Sequence, residues 1–214
     1  LLILLNQMTD IDEKRSIASV PSRLTARIPQ MILIGTLIPF CWLAMQVVHE
    51  LGHVLLAWAT KAEVTKVALH PLIVSRTDLA ANPHPLAVVW GGPLLGSLLP
   101  LLAFATASLC RAPGIYLFRF FAGFCLVANG VYIGTGWLFA NGADPGVMIE
   151  HGSPTWLLVA FGLLTFPAGL YLWHRQGRHF GLAEANGNVS NLAAAISAAL
   201  LVVLVAFELI RNER

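Results

Sequence analysis

Five long apolar runs alternate with short polar segments along the chain, at residues 31–60, 86–109, 115–140, 154–175 and 189–210. At about 1.5 Å per helical residue each can cross a hydrocarbon layer of about 30 Å. Within that layer an α-helix satisfies every backbone polar group internally. The pattern therefore predicts an all-α polytopic membrane protein with about five transmembrane helices. Residues 1–30 read as a polar, poorly ordered N-terminal tail containing Pro21 and Pro29. Within it Leu1 to Leu5 is too short for a signal-peptide core, and Met8, followed by a polar stretch, is the expected start.

Between the first two runs, residues 62–85 place β-branched Val64, Thr65, Val67, Ile73 and Val74 among charged Glu63, Lys66 and Arg76, with a break at His70-Pro71. This predicts a short β-hairpin-like loop. Residues 141–153 read as a loop with two acids and no Lys or Arg, and residues 177–188 as a polar loop rich in Gly and Asn.

Composition narrows the classes. Hydrophobic residues make up 57% and charged residues 11%, against about 25% charged in a soluble domain, and the mean hydropathy is +0.74; a water-soluble globule is excluded. The net charge is +2, and the basic residues neither cluster nor interleave with aromatics, so no nucleic-acid partner is expected and the lipid bilayer is the first partner. Eight Lys and Arg fall in or beside the tail and the second and fourth loops, and five on the other side, a small bias toward a cytoplasmic N-terminus that leaves the orientation open. Cys41, Cys110 and Cys125 are odd in number and lack C-x-x-C spacing, so free thiols are expected.

The residues that carry chemistry are His49-Glu50-Leu51-Gly52-His53, inside the first apolar run. Positions i and i+4 of a helix lie one above the other, so both imidazoles can address one Zn²⁺. Glu50, beside the first ligand, can then move a proton as general base and general acid. The same five residues on a soluble helix are compatible with two solvated histidines. Inside a bilayer a charged Glu costs roughly 2.5–3.5 kcal/mol on insertion scales, which makes an intramembrane ionisable cluster a functional site by default.

A catalytic zinc needs a third protein ligand and an open position. Asp10, Asp12, Glu13, Glu63, Asp78 and Glu184 lie in the tail or loops, and Glu208 is expected to pair with Arg211 at i+3 near the end of the last run. Asp144, in Asn141-Gly142-Ala143-Asp144-Pro145-Gly146, remains as the leading third ligand. The first and third runs cross in one direction, which puts Asp144 on the same side of the bilayer as His49 and His53. Its alternative role is a turn former before proline, and Glu150 and His151 stand in reserve.

With these residues the chain resembles the site-2 protease family of intramembrane zinc metalloproteases. The resemblance covers the first three runs: His49-Glu50-x-x-His53 in a membrane helix, Gly91-Gly92-Pro93 at the position of the family's Gly-Pro element, and residues 64–75 where such proteases carry a substrate-presenting β segment. It implies one Zn²⁺ per chain held by His49, His53 and Asp144, with Glu50 as the catalytic residue. It also implies a protein substrate with a transmembrane or membrane-adjacent segment, in a bacterial-type cell membrane. The corresponding division is a tail at 1–30, a three-helix metalloprotease core at 31–153, and two additional packing or gating helices at 154–214. The family's Asp lies in an L-D-G context, whereas here the sequence is Ala143-Asp144-Pro145, and Leu95 and Gly96 stand where the family has an Asn. Asn129 and Asn141 are the candidates for the missing polar contact.

The alternative is a zinc-binding membrane scaffold or regulatory protein of the same fold without proteolytic activity. A metal transporter needs polar groups along its whole path, and here they gather at one level.

Overall fold

The computed structural model describes residues 27–139 and 143–212; of the tail expected at residues 1–30, residues 1–26 with the expected start lie outside them, as does Asn141, while residues 28–30 already belong to the first helix. Six helices and one hairpin make up the elements longer than a single turn among the described residues. In chain order they are α1 (Ile28–Ala59), β1 (Glu63–Ala68), β2 (Arg76–Ala81), α2 (Pro85–Leu109), α3 (Ile115–Gly136), α4 (Asp144–Glu150), α5 (Thr155–Trp173) and α6 (Asn191–Asn212). The five helices other than α4 are long and apolar enough to span a membrane, and the chain is a multi-pass membrane protein.

Helix α1 has 32 residues, about 48 Å of helix against a core of about 30 Å, so it crosses with tilt or extends beyond the core. Its first half forms one apolar cluster: Leu33, Leu37 and Cys41 pack with Ala193 and Ala194 of α6 and with Phe180. Thr36 and Ser197 hydrogen-bond across the same interface at 2.7 Å. The second half of α1 packs on α2, where Gly52 and Gly91 bring the backbones together. A Cβ on Gly91 would stand 2.6 Å from the Gly52 carbonyl oxygen. Helices α3 and α5 meet through a second glycine seam, Gly123, Gly130 and Gly134 against Gly162 and Gly169, the close approach that small residues permit between membrane helices.

The hairpin agrees with the sequence expectation. Strands β1 and β2 are antiparallel, with register shifts between Glu63 and Val64 and between Val64 and Lys66. The segment leading into β2 lies back along α1, where the Ser75 N–H donates to Gln46 Oε1 at 2.8 Å. Gln46 lies 13 residues before the end of α1, about 20 Å down the helix.

Residues 144–150, expected to be loop, are the helix α4. Pro145 at its start supplies a preset helical φ, and Met148, fully buried, joins Val89, Ile133 and Leu158 in a cluster between α2, α3 and α5. The third span stops at Gly136, short of the expected residue 140. Pro145 sits so close to Gly136 that a Cβ there would lie 2.6 Å from its Cγ. Glu208, expected to pair with Arg211, is buried at 1% exposure, and its Oε2 has no hydrogen-bond partner; no such ion pair forms among the described residues. Cys41, Cys110 and Cys125 are free thiols, with Cys110 exposed.

Candidate metal centre

His49 and His53 occupy one face of α1 one turn apart, both buried, with ring centroids 4.8 Å apart. Their Nε2 atoms approach one carboxylate oxygen. Asp144 Oδ2 stands 2.8 Å from His49 Nε2 and 3.3 Å from His53 Nε2. The far side of each ring also meets an acceptor. His49 Nδ1 is 2.8 Å from Asn129 Oδ1, and His53 Nδ1 is 2.9 Å from the Val88 carbonyl oxygen. The Asn129 amide orientation is fixed by its Nδ2 donating to the Cys125 carbonyl at 2.9 Å, so it is the oxygen that faces the ring.

These partners set the chemistry. A neutral imidazole has one N–H and one lone pair. With both Nδ1–H groups donating outward, both Nε2 lone pairs face the Asp144 carboxylate, three electron-rich atoms around one point. Such a group calls for a cation. The His53 Nε2 to Asp144 Oδ2 separation of 3.3 Å equals the edge of a tetrahedron with ligands about 2.0–2.1 Å from zinc, about 3.3 Å, and the His49 Nε2 separation of 2.8 Å is shorter. The outward bonds from Nδ1 are the tautomer-fixing contacts that metal-binding histidines make. Space exists as well: Gly92 faces the pair, and a Cβ there would fall 2.7 Å from His49 Nε2 and closer still to His53 Nε2. The donor set and the cradle fit Zn²⁺.

Asp144 reaches this point because α4 is anchored at both ends. Its N–H donates to Tyr132 Oη at 3.2 Å, Pro145 and Met148 are buried, and Trp90 Nε1–H donates to Ser153 Oγ at 2.8 Å just beyond the helix.

Glu50 points elsewhere. Its Oε1 accepts from Ser75 Oγ at 2.7 Å and its Oε2 from Thr77 Oγ1 at 2.6 Å. One of its oxygens still lies within 4.8 Å of a ring nitrogen of each histidine, so His49, Glu50 and His53 also form a possible metal-holding group. The reserve residues do not join the centre. Glu150 and His151 are exposed at the far end of α4, where His151 Nδ1 bonds back to the Val147 carbonyl at 2.9 Å. Asn129, one of two candidates for a polar contact, does join it. Gln46, Ser75, Thr77, Val88 and Tyr132 carry no motif that marks them in the sequence. The chain finds no match among protein-family models, curated proteins or solved structures.

Proposed function

We propose that the chain is an intramembrane zinc metalloendopeptidase of the site-2 protease type, in a bacterial-type cell membrane, acting on proteins with a transmembrane or membrane-adjacent segment. The observation that carries this reading is the convergence of His49 Nε2, His53 Nε2 and Asp144 Oδ2 at one buried point beside Glu50. His49, His53 and Asp144 would hold the metal. Zn²⁺ held there supplies Lewis acidity, polarising a peptide carbonyl and lowering the pKa of a water to about 7.

The chain's own residues account for the rest. Glu50, next in sequence to a ligand, would take the proton from the attacking water and return it to the leaving amine. Asn129 and the Val88 carbonyl keep both histidines in the tautomer that leaves Nε2 free. A helical substrate hides its carbonyls in i to i−4 bonds and has to unwind; the hairpin beside Glu50 offers it a strand partner. Changes at Val67 and Leu69 that block strand pairing should then abolish cleavage.

A second reading, a zinc-binding scaffold without proteolysis, is favoured by one contact: both Glu50 oxygens are already engaged by hydroxyls of the same chain. Two measurements decide. Zinc content in detergent should be about one per chain, lost in Asp144→Ala and kept in Glu150→Ala. Glu50→Gln should keep the metal and lose proteolysis; a scaffold would lose nothing. Absence of bound zinc in every sample after metal is supplied would defeat both readings.

A further inference from the structure

Glu50 poses a problem for the reading above. A carboxylate is itself a good zinc ligand, and one Glu50 oxygen lies within 4.8 Å of a ring nitrogen of each histidine. An anion that near a divalent cation is drawn toward it, and in a water-poor interior the attraction is strong. Were Glu50 to coordinate, the metal would gain a fourth protein ligand and become a closed, structural site. The acid would cease to be a free base.

We propose that Ser75 and Thr77 are positioning residues that hold Glu50 out of the metal's coordination sphere, keeping one coordination position open; this rests on the zinc-centre reading given above. Three features carry the assignment. Both carboxylate oxygens are engaged, Oε1 by Ser75 at 2.7 Å and Oε2 by Thr77 at 2.6 Å, so neither is left to turn inward unopposed. Hydroxyl-to-carboxylate bonds of this length are among the stronger hydrogen bonds. The two donors sit two residues apart, Ser75 immediately before β2 and Thr77 within it, so one short stretch of chain delivers both. That stretch is itself fixed to α1: the Ser75 N–H donates to Gln46 Oε1 at 2.8 Å, and Gln46 is buried one helical turn before Glu50 on the same face. The clamp is thus a rigid bracket between α1 and the hairpin.

The test uses Co²⁺ as an optical probe, titrated into the full chain in detergent after chelation, followed by azide as a small anion that enters an open coordination position and shifts the d–d bands. Wild type should bind Co²⁺ and respond to azide. Ser75→Ala/Thr77→Val should bind Co²⁺ about tenfold more tightly, because a fourth protein ligand is gained, and lose the azide response as Glu50 fills the open position. Adding Glu50→Gln to that pair should restore the response, because a neutral amide is a poor ligand. Thr77→Val alone, nearly isosteric and freeing one oxygen, should weaken azide binding about tenfold, and Thr77→Ser should behave as wild type. Co²⁺ spectra and azide responses in Thr77→Val and the double variant that match wild type would overturn the clamp and leave the metal centre standing. Failure of wild type itself to bind Co²⁺ would overturn the clamp together with the metal centre.

Discussion

Asn129 Oδ1 stands 2.8 Å from His49 Nδ1, although the two residues are 80 positions apart. The amide is locked by its own bond to the Cys125 carbonyl and fits against Gly96, where a Cβ would come within 3.0 Å of its Nδ2. It makes the outer contact that a metal-binding imidazole would need. Asn129→Leu, similar in volume and free of unpaired polar atoms, should lower zinc affinity about 10–100-fold. Competition against a chelator of known affinity measures it, and an unchanged constant would remove Asn129 from the centre.

Gly92 makes the second prediction. An added methyl would run into both ring nitrogens, while Ala is favoured over Gly in a helix by about 1 kcal/mol. Gly92→Ala should therefore retain helix content and lose zinc. Gly35, with nothing within 4 Å of a built Cβ, is the control: Gly35→Ala should keep zinc. Equal zinc in both variants would mean that the cradle is not where the metal sits.

The α3–α5 seam predicts a stability effect. A Cβ on Gly162 would meet the Gly130 carbonyl oxygen and the Gly134 Cα, each at 2.8 Å, backbone atoms that cannot rotate away. Gly162→Ala should destabilise the fold by about 1–3 kcal/mol, seen as a lower unfolding temperature in detergent. A midpoint at or above that of wild type would show that the helices can separate without cost.

His179 stacks on Tyr116 at 4.6 Å with planes 10° apart. Burial, and then the charges of Arg178 and Arg119, hold it below its ordinary value, so the folded protein favours the neutral ring. Its contribution is complete above about pH 6.5 and is lost as pH falls through the lower folded value. Between about pH 7.5 and 5.5 the unfolding temperature of wild type should drop more than that of His179→Phe, which keeps the stack without the titration. Parallel drops in the two proteins would assign the acid sensitivity to other groups.

What the sequence reveals about the centre follows from distance along the chain. His49, Glu50 and His53 announce themselves because helical period alone puts two of them on one face. Asp144 emerges from counting acids against the need for a third ligand. The contacts that tune these groups carry no such sign. The Val88 carbonyl is backbone, and Ser75 and Thr77 look like any strand residues. They become meaningful only when the hairpin folds back about 20 Å along α1. Helix α4 is hidden for a related reason. Its 7 residues are too few for periodicity to register, and its stability comes from Met148 filling a pocket between three spans. Glu208 shows the limit of local pairing rules, since i+3 spacing suits Arg211 while burial in the tertiary fold keeps them apart.

The exposed thiol of Cys110 gives this architecture a compass. It caps α2 at the end opposite His84, whereas His49, His53 and Asp144 gather near the other ends of the helices, and Cys41 and Cys125 are sealed within the bundle. A maleimide that cannot cross membranes, added to intact cells, therefore reads polarity from a single native residue. Labelling from outside would turn the metal centre toward the cytoplasm, and labelling only after permeabilisation would turn it outward, with no engineered tag and no disturbance of the site.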